Sequence, residues 1–195
     1  AVAGTTITSD VLASQLVFSQ EPTGSVSGQP LVTQPIVEAR DSNGTIDTDF
    51  TETITLSESS PGSLTNNTET ASSGAAVFSQ VTYLASADGE MFALTADDAT
   101  TNGDLPPVAS GTIASNVVAT QLVFTAQPPA AVTVTTDFDG EVVVQAQDGD
   151  GIRDTDATET VTLAAVFGTD HASVAPGTLY SSDVGGLSKP LVSGS

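Results

Sequence analysis

The chain has 195 residues, 38% of them hydrophobic but only 5% aromatic, and its 24 acids face three bases for a formal net charge of −21. That charge repels phosphate backbones and anionic membranes, and the absence of cysteine excludes disulfides, thiolate metal centres and cysteine nucleophiles. No apolar run is long enough to span a membrane, and no signal-peptide pattern is present, so any targeting segment is expected outside this stretch.

In chain order, residues 1–12 read as the terminal strand of a preceding repeat, or as a donor or linker segment. The ground is an ungapped match of VAGTTITSDVLASQLVF from Val2 with VASGTIASNVVATQLVF from Val108. Next come SQLVFSQ, QPIVEAR, TETITLS, GAAVFSQVTYLA and MFALTADD, short β-rich segments separated by Gly, Pro, Asn, Asp and Ser. None holds a helical period over three turns. In TETITLS, Ile54 and Leu56 share one face while Thr51, Thr53 and Thr55 share the other, the alternation of a half-buried strand.

The pattern then starts again. ATQLVF at Ala119 repeats ASQLVF at Ala13 at a shift of 106. VQAQDGDGIRDTDATETVTLA from Val144 repeats VEARDSNGTIDTDFTETITLS from Val37 at a shift of 107. PGTL at Pro176 matches PGSL at Pro61, after an inserted loop containing His171, and SGS at Ser193 matches SGA at Ser73. The expected organisation is one repeat over 13–118 and a second over 119–195 that lacks its last strands. Such a chain is a window on a longer array, or one whose missing strands come from a neighbour.

Each copy carries an aspartate-rich loop, DSNGTIDTD or DGDGIRDTD. Oxygen-bearing side chains recur at Asp41, Asn43, Asp47 and Asp49, and again at Asp148, Asp150, Asp154 and Asp156. Hard oxygen donors at fixed spacing, with Gly44 or Gly151 allowing a sharp bend, point to Ca²⁺. Glu52 and Glu159 share the parity of core-facing residues and are read as one extra ligand per copy. The glycine stands fourth, not sixth, which separates these loops from an EF-hand, and a strict Mg²⁺ octahedron suits them poorly. The competing reading is an Asx-turn-rich connection with solvated carboxylates and no ion. A further cluster, Asp97, Asp98 and Asp104, reads as a solvated loop, with calcium at the repeat junction as its alternative.

The opening A-[ST]-Q-L-V-F followed by Pro, the strand V-x-A-x-D and the strand T-E-T-[IV]-T-L resemble bacterial immunoglobulin-like (Big-type) tandem repeats of large surface adhesins and extracellular structural proteins. The resemblance covers nearly the whole chain. It implies an all-β fold of tandem Ig-like β-sandwich repeats, outside the cell or on its surface, with a structural or adhesive role. No G-x-S-x-G, P-loop or H-E-x-x-H pattern is present, and lone His171 lacks catalytic partners. The expected function is a non-enzymatic, calcium-stiffened spacer whose partners are neighbouring repeats or other copies of the chain. Two alternatives stand beside it. One is a self-assembling filament subunit; the other is a carbohydrate- or protein-binding module, for which Tyr83 and Tyr180 are the only tyrosines.

Overall fold

The computed structural model describes residues 9–98, 104–128, 141–164, 166–167, 173–174 and 188–195. Most of the 1–12 segment, the PGTL motif, His171 and Tyr180 lie outside them. The fold is all-β, with no helix among the described residues, and it divides into two units, Ala1–Asn116 and Val117–Ser195.

Among the described residues the first unit has twelve strands: β1 (Gln15–Gln20), β2 (Ser25–Val26), β3 (Ile36–Arg40), β4 (Thr53–Ser57), β5 (Ser63–Thr65), β6 (Thr68–Thr70), β7 (Ala75–Val77), β8 (Thr82–Leu84), β9 (Glu90–Phe92), β10 (Thr95–Asp98), β11 (Val108–Ala109) and β12 (Ile113–Asn116). They pair as β1-β3-β7, β11-β10-β4-β6, β2-β12-β9 and β5-β8, several small sheets in a sandwich-like arrangement. Every one of these pairings is antiparallel except β2 with β12, which run parallel.

Alternation places the core. Leu16 and Phe18 of β1, Val37 and Ala39 of β3, and Ile54 and Leu56 of β4 are buried, while Thr55 and Ser57 face outward. Burying side chains of this size contributes about 1.5–3 kcal/mol each. On the outer face, Thr53 lies opposite Thr70 and their hydroxyls meet at 3.1 Å, a cross-strand pair suited to a solvated pleat. Tyr83 is fully buried and its ring stacks on Phe92, with centroids 3.8 Å apart and planes at 12°.

The chain reaches β7 through a two-residue hairpin. Ser72 and Ala75 exchange backbone hydrogen bonds of 2.9 and 3.2 Å across Ser73 (φ 55°) and Gly74 (φ 79°). Two successive positive φ values make the turn type I′, whose twist matches that of the flanking strands.

Among the described residues the second unit has six strands: β13 (Gln121–Ala126), β14 (Val143–Gln147), β15 (Thr160–Thr162), β16 (Val166–Phe167), β17 (Ser173–Val174) and β18 (Ser188–Pro190), joined as three antiparallel pairs, β13-β14, β15-β18 and β16-β17. The β13–β14 ladder repeats that of β1–β3, down to a register shift at Phe124/Ala126 where the first copy has one at Phe18/Gln20. The type I′ hairpin recurs at Ser193 (φ 50°) and Gly194 (φ 78°), between Val192 and Ser195. Burial does not repeat. Leu122 and Phe124 are 56% and 42% exposed, where their counterparts Leu16 and Phe18 are 3% and 9%. Among the described residues of this unit, Ala146, Ala157 and Leu191 form a buried cluster.

Candidate functional site

The aspartates of the two loops have separate tasks. Asp41 Oδ1 accepts the amides of Asn43 at 2.9 Å and Thr45 at 2.8 Å, and Asp148 Oδ1 accepts those of Asp150 at 3.0 Å and Ile152 at 2.8 Å. These are Asx turns that close the loop onto itself. The Thr45 amide above all holds the Asp41 carboxyl below its ordinary range, with the Asn43 side chain and amide adding to the effect. Further along, Asp47 Oδ2 accepts the Ala13 amide at 2.8 Å, and Asp154 Oδ2 accepts the Ala119 amide at 2.8 Å. Each ties its loop to the chain entering the unit's first strand. Hydrogen bonding to the backbone is therefore a sufficient cause for the repetition of Asp41/Asp148 and Asp47/Asp154. Asn43 and Asp150, at the loop tips, are exposed.

The second oxygen separates the copies. In the second unit Asp154 Oδ1 accepts the Ala157 amide at 2.9 Å, so both of its oxygens are engaged. In the first unit Asp47 Oδ1 is buried and no donor reaches it in good hydrogen-bond geometry, although the Asp49 side chain and the Asp49 and Phe50 amides lie near enough to lower the carboxyl. Asp47, Asp49, Glu52, Asp10 and Asp104 line one cleft of about 420 Å³, together with Val11, Phe50 and Leu105. Both carboxylate oxygens of Glu52 are likewise buried and unpartnered, whereas Glu159, its counterpart, is exposed.

Asp98 lies near this acidic wall, close enough to Glu52 and Asp104 to feel their charges. Alternation along β10 turns it inward after Ala96, so the strand ends on a buried carboxylate. Its Oδ1 accepts the Leu105 amide at 3.1 Å, and its Oδ2 is buried with no partner. Asp97, Asp98 and Asp104 each offer an oxygen, and these lie within 4.8 Å of one another. Burial pushes the Asp98 carboxyl up, the Leu105 amide opposes it, and the charges of Glu52 and Asp104 add to the rise. Asp49 is raised too, chiefly by the Asp47 carboxyl beside it and then by Asp10. For Asp47 burial works upward but is outweighed by hydrogen bonding with Asp49 and the Ala13 amide, which leaves its carboxyl lowered.

Of the residues singled out in the sequence, the structure thus brings Asp47, Asp49 and Glu52 to one cleft and leaves Asp41 and Asn43 in the turn beside it. The sequence reading overlooked Asp10 and gave Asp98 to a solvated loop. The parity of Leu94, Ala96 and Asp98, all buried, is the signal that marks Asp98 as inward-facing. No cation balances the cleft from within the unit, because Arg40, the sole base of the first 116 residues, bonds Glu38. The donors are all hard oxygens, the set that suits Ca²⁺ or Mg²⁺ rather than zinc or copper. Tyr83, entirely buried, offers no stacking face to a sugar. A scan of family models gives no match to this chain, and a search of curated proteins gives none either.

Proposed function

We propose that the chain is a non-enzymatic, load-bearing spacer: a segment of tandem Ig-like sandwiches in an extracellular adhesin or filament of a bacterial surface, stiffened by calcium. The observation that carries this reading is the parallel pairing of β2 with β12. Ser25 lies beside Ser115 and Val26 beside Asn116, the Ser27 amide donates to the Asn116 carbonyl at 2.8 Å, and the hydroxyls of Ser25 and Ser115 meet at 3.0 Å in the interior. β2 belongs to the entering end of the unit and β12 to the leaving end. A pull on the two ends loads β1, held antiparallel to β3, before it reaches β2, and then draws the parallel partners β2 and β12 in opposite directions along their own axes. The ladder is then loaded in shear, so its hydrogen bonds share the force instead of opening one at a time.

Pulling single molecules by their termini tests this. The first unit is expected to unfold in one cooperative event with a contour gain of about 350 Å, given ~3.4 Å per extended residue. Gradual extension at low force, the behaviour of a ladder peeled from one end, would remove the reading.

A second reading has its own support in the exposed Leu122 and Phe124. In a self-assembling filament, strands from another copy would cover this apolar face by β-addition. Sedimentation of the chain distinguishes the two. Polymers dispersed by Leu122→Asp with Phe124→Asp favour assembly, and a monomer at all concentrations favours the spacer.

A further inference from the structure

We propose that the first unit holds one Ca²⁺ between Asp98, Asp104, Asp97 and Glu52, beside the cleft that Asp47 also lines. The site deepens the spacer reading and rests on it for the ion's role, though not for its chemistry.

Three observations converge on it. Asp98 and Asp47 are 7% and 5% exposed, and each keeps one carboxylate oxygen buried with no donor in good hydrogen-bond geometry. Both oxygens of Glu52 share that condition. Buried carboxylates are ordinarily paired, hydrogen-bonded or bound to metal, and here the unit's sole arginine is occupied by Glu38. The spacing fits an ion as well. Two oxygens each about 2.4 Å from one Ca²⁺ lie at most ~4.8 Å apart, and one oxygen from each of Asp97, Asp98 and Asp104 meets that limit. Finally, Asp104 and Glu52 line a cleft of about 420 Å³, which leaves room beside them for the waters that fill a six- to eight-coordinate shell.

A bound proton is the rival occupant, since it too would relieve the repulsion. It neutralises one carboxyl at a time, whereas a divalent ion offsets several together. Ca²⁺ is favoured over Mg²⁺ because neighbouring carboxylates on β10, joined by others from distant parts of the chain, suit an irregular shell, which the larger ion tolerates. Among the described residues, the second unit does not repeat the Asp47 and Glu52 part of this arrangement. Asp154 has both oxygens on amides and Glu159 is exposed.

Thermal melts of the whole chain in EDTA, in millimolar Ca²⁺ and in millimolar Mg²⁺ test the site, with Asp98→Asn, Glu52→Gln and Asp41→Asn alongside. The wild type is expected to gain melting temperature in Ca²⁺ and much less in Mg²⁺. Asp98→Asn and Glu52→Gln should weaken Ca²⁺ binding by about tenfold or more, yet melt no lower than wild type in EDTA, because each removes a buried charge that lacks a partner. Asp41→Asn should melt lower in EDTA and keep the full Ca²⁺ increment. A wild type whose melts coincide in all three solutions overturns the proposal. So does a Ca²⁺ increment that survives Asp98→Asn and Glu52→Gln. A Ca²⁺ increment that depends on Asp98, in a protein that peels at low force, would keep the site and discard the spacer.

Discussion

Tyr83→Ala should destabilise the first unit by about 3–5 kcal/mol, the range for removing a large aromatic from a packed core. The ring is fully buried and stacked on Phe92, and its hydroxyl meets Ser60 Oγ at 2.7 Å. Gly62 packs so closely that a Cβ there would overlap that hydroxyl, so little surrounding structure is free to collapse into the space. Domains have about 5–15 kcal/mol in total, so the variant loses a large part of its stability, and calorimetry should show a fall of roughly 15–30 °C for the first unit. Tyr83→Phe keeps the ring and should cost only about 1 kcal/mol. The pH dependence supplies a second signature. Burial, partly offset by the Ser60 hydroxyl, raises the phenol to about 12, against about 10 when unfolded. Its contribution is complete below about 10 and is lost as pH rises towards 12, because the unfolded state ionises first. Tyr83→Phe should remove that alkaline loss. A Tyr83→Ala variant that melts within a few degrees of wild type would show that the stack carries little of the core.

Gly74→Ala and Gly194→Ala should each cost more than about 3 kcal/mol, although each adds a single methyl. Both glycines hold φ near +80°, a region that costs an L-residue about 1–2 kcal/mol. A Cβ on Gly74 would also overlap the Asp47 carbonyl and stand 2.6 Å from Ile46 Cγ2, and one on Gly194 would overlap the Asp154 carbonyl. Those carbonyls cannot easily retreat. The Asp47 amide donates to the Ala39 carbonyl at 3.0 Å and the Asp154 amide to Ala146 at 3.1 Å, while the side chains of both aspartates are pinned by amides. Gly44 is the control, since its φ is +85° but nothing lies within 4 Å of its Cβ position. Gly44→Ala should therefore show the backbone cost alone. Denaturant unfolding of the three variants measures the difference, and equal losses at Gly44 and Gly74 would refute the packing argument.

Much of the fold was legible because alternation and repetition are local. Ile54 and Leu56 turned inward as their parity required, and the shared ASQLVF and ATQLVF motifs became ladders with the same register and the same bulge. The aspartate loops were legible in spacing but ambiguous in cause. An Asp followed by a tight turn satisfies backbone amides as readily as it binds a cation, and only the positions of the Asn43 and Thr45 amides reveal the first use at Asp41. The cleft was harder to see. It gathers Asp10, Asp47, Glu52 and Asp104 from segments far apart in the chain, and neither spacing nor repetition records such a meeting. Glu52 was the exception, marked by its core-side parity in TETITLS. The exposure of Leu122 and Phe124 escaped the sequence entirely, since it depends on which strands cover the face and not on the strand's own residues.

Calcium would act here through mass action and geometry together. At a hundredfold excess over its Kd, an ion that binds only the folded state adds about 2.7 kcal/mol, comparable with the largest core contacts. The ion would also join β10 to the segment that carries Asp47 and Glu52, strengthening one end of the unit against the charge repulsion built into it.

The most direct measurement is the number of Ca²⁺ ions bound per chain, by calorimetric titration of the EDTA-treated protein and of Asp98→Asn. One ion per chain, lost in Asp98→Asn, is the predicted result. No bound ion, or two ions unaffected by Asp98→Asn and lost in Asp41→Asn with Asp148→Asn, would contradict it.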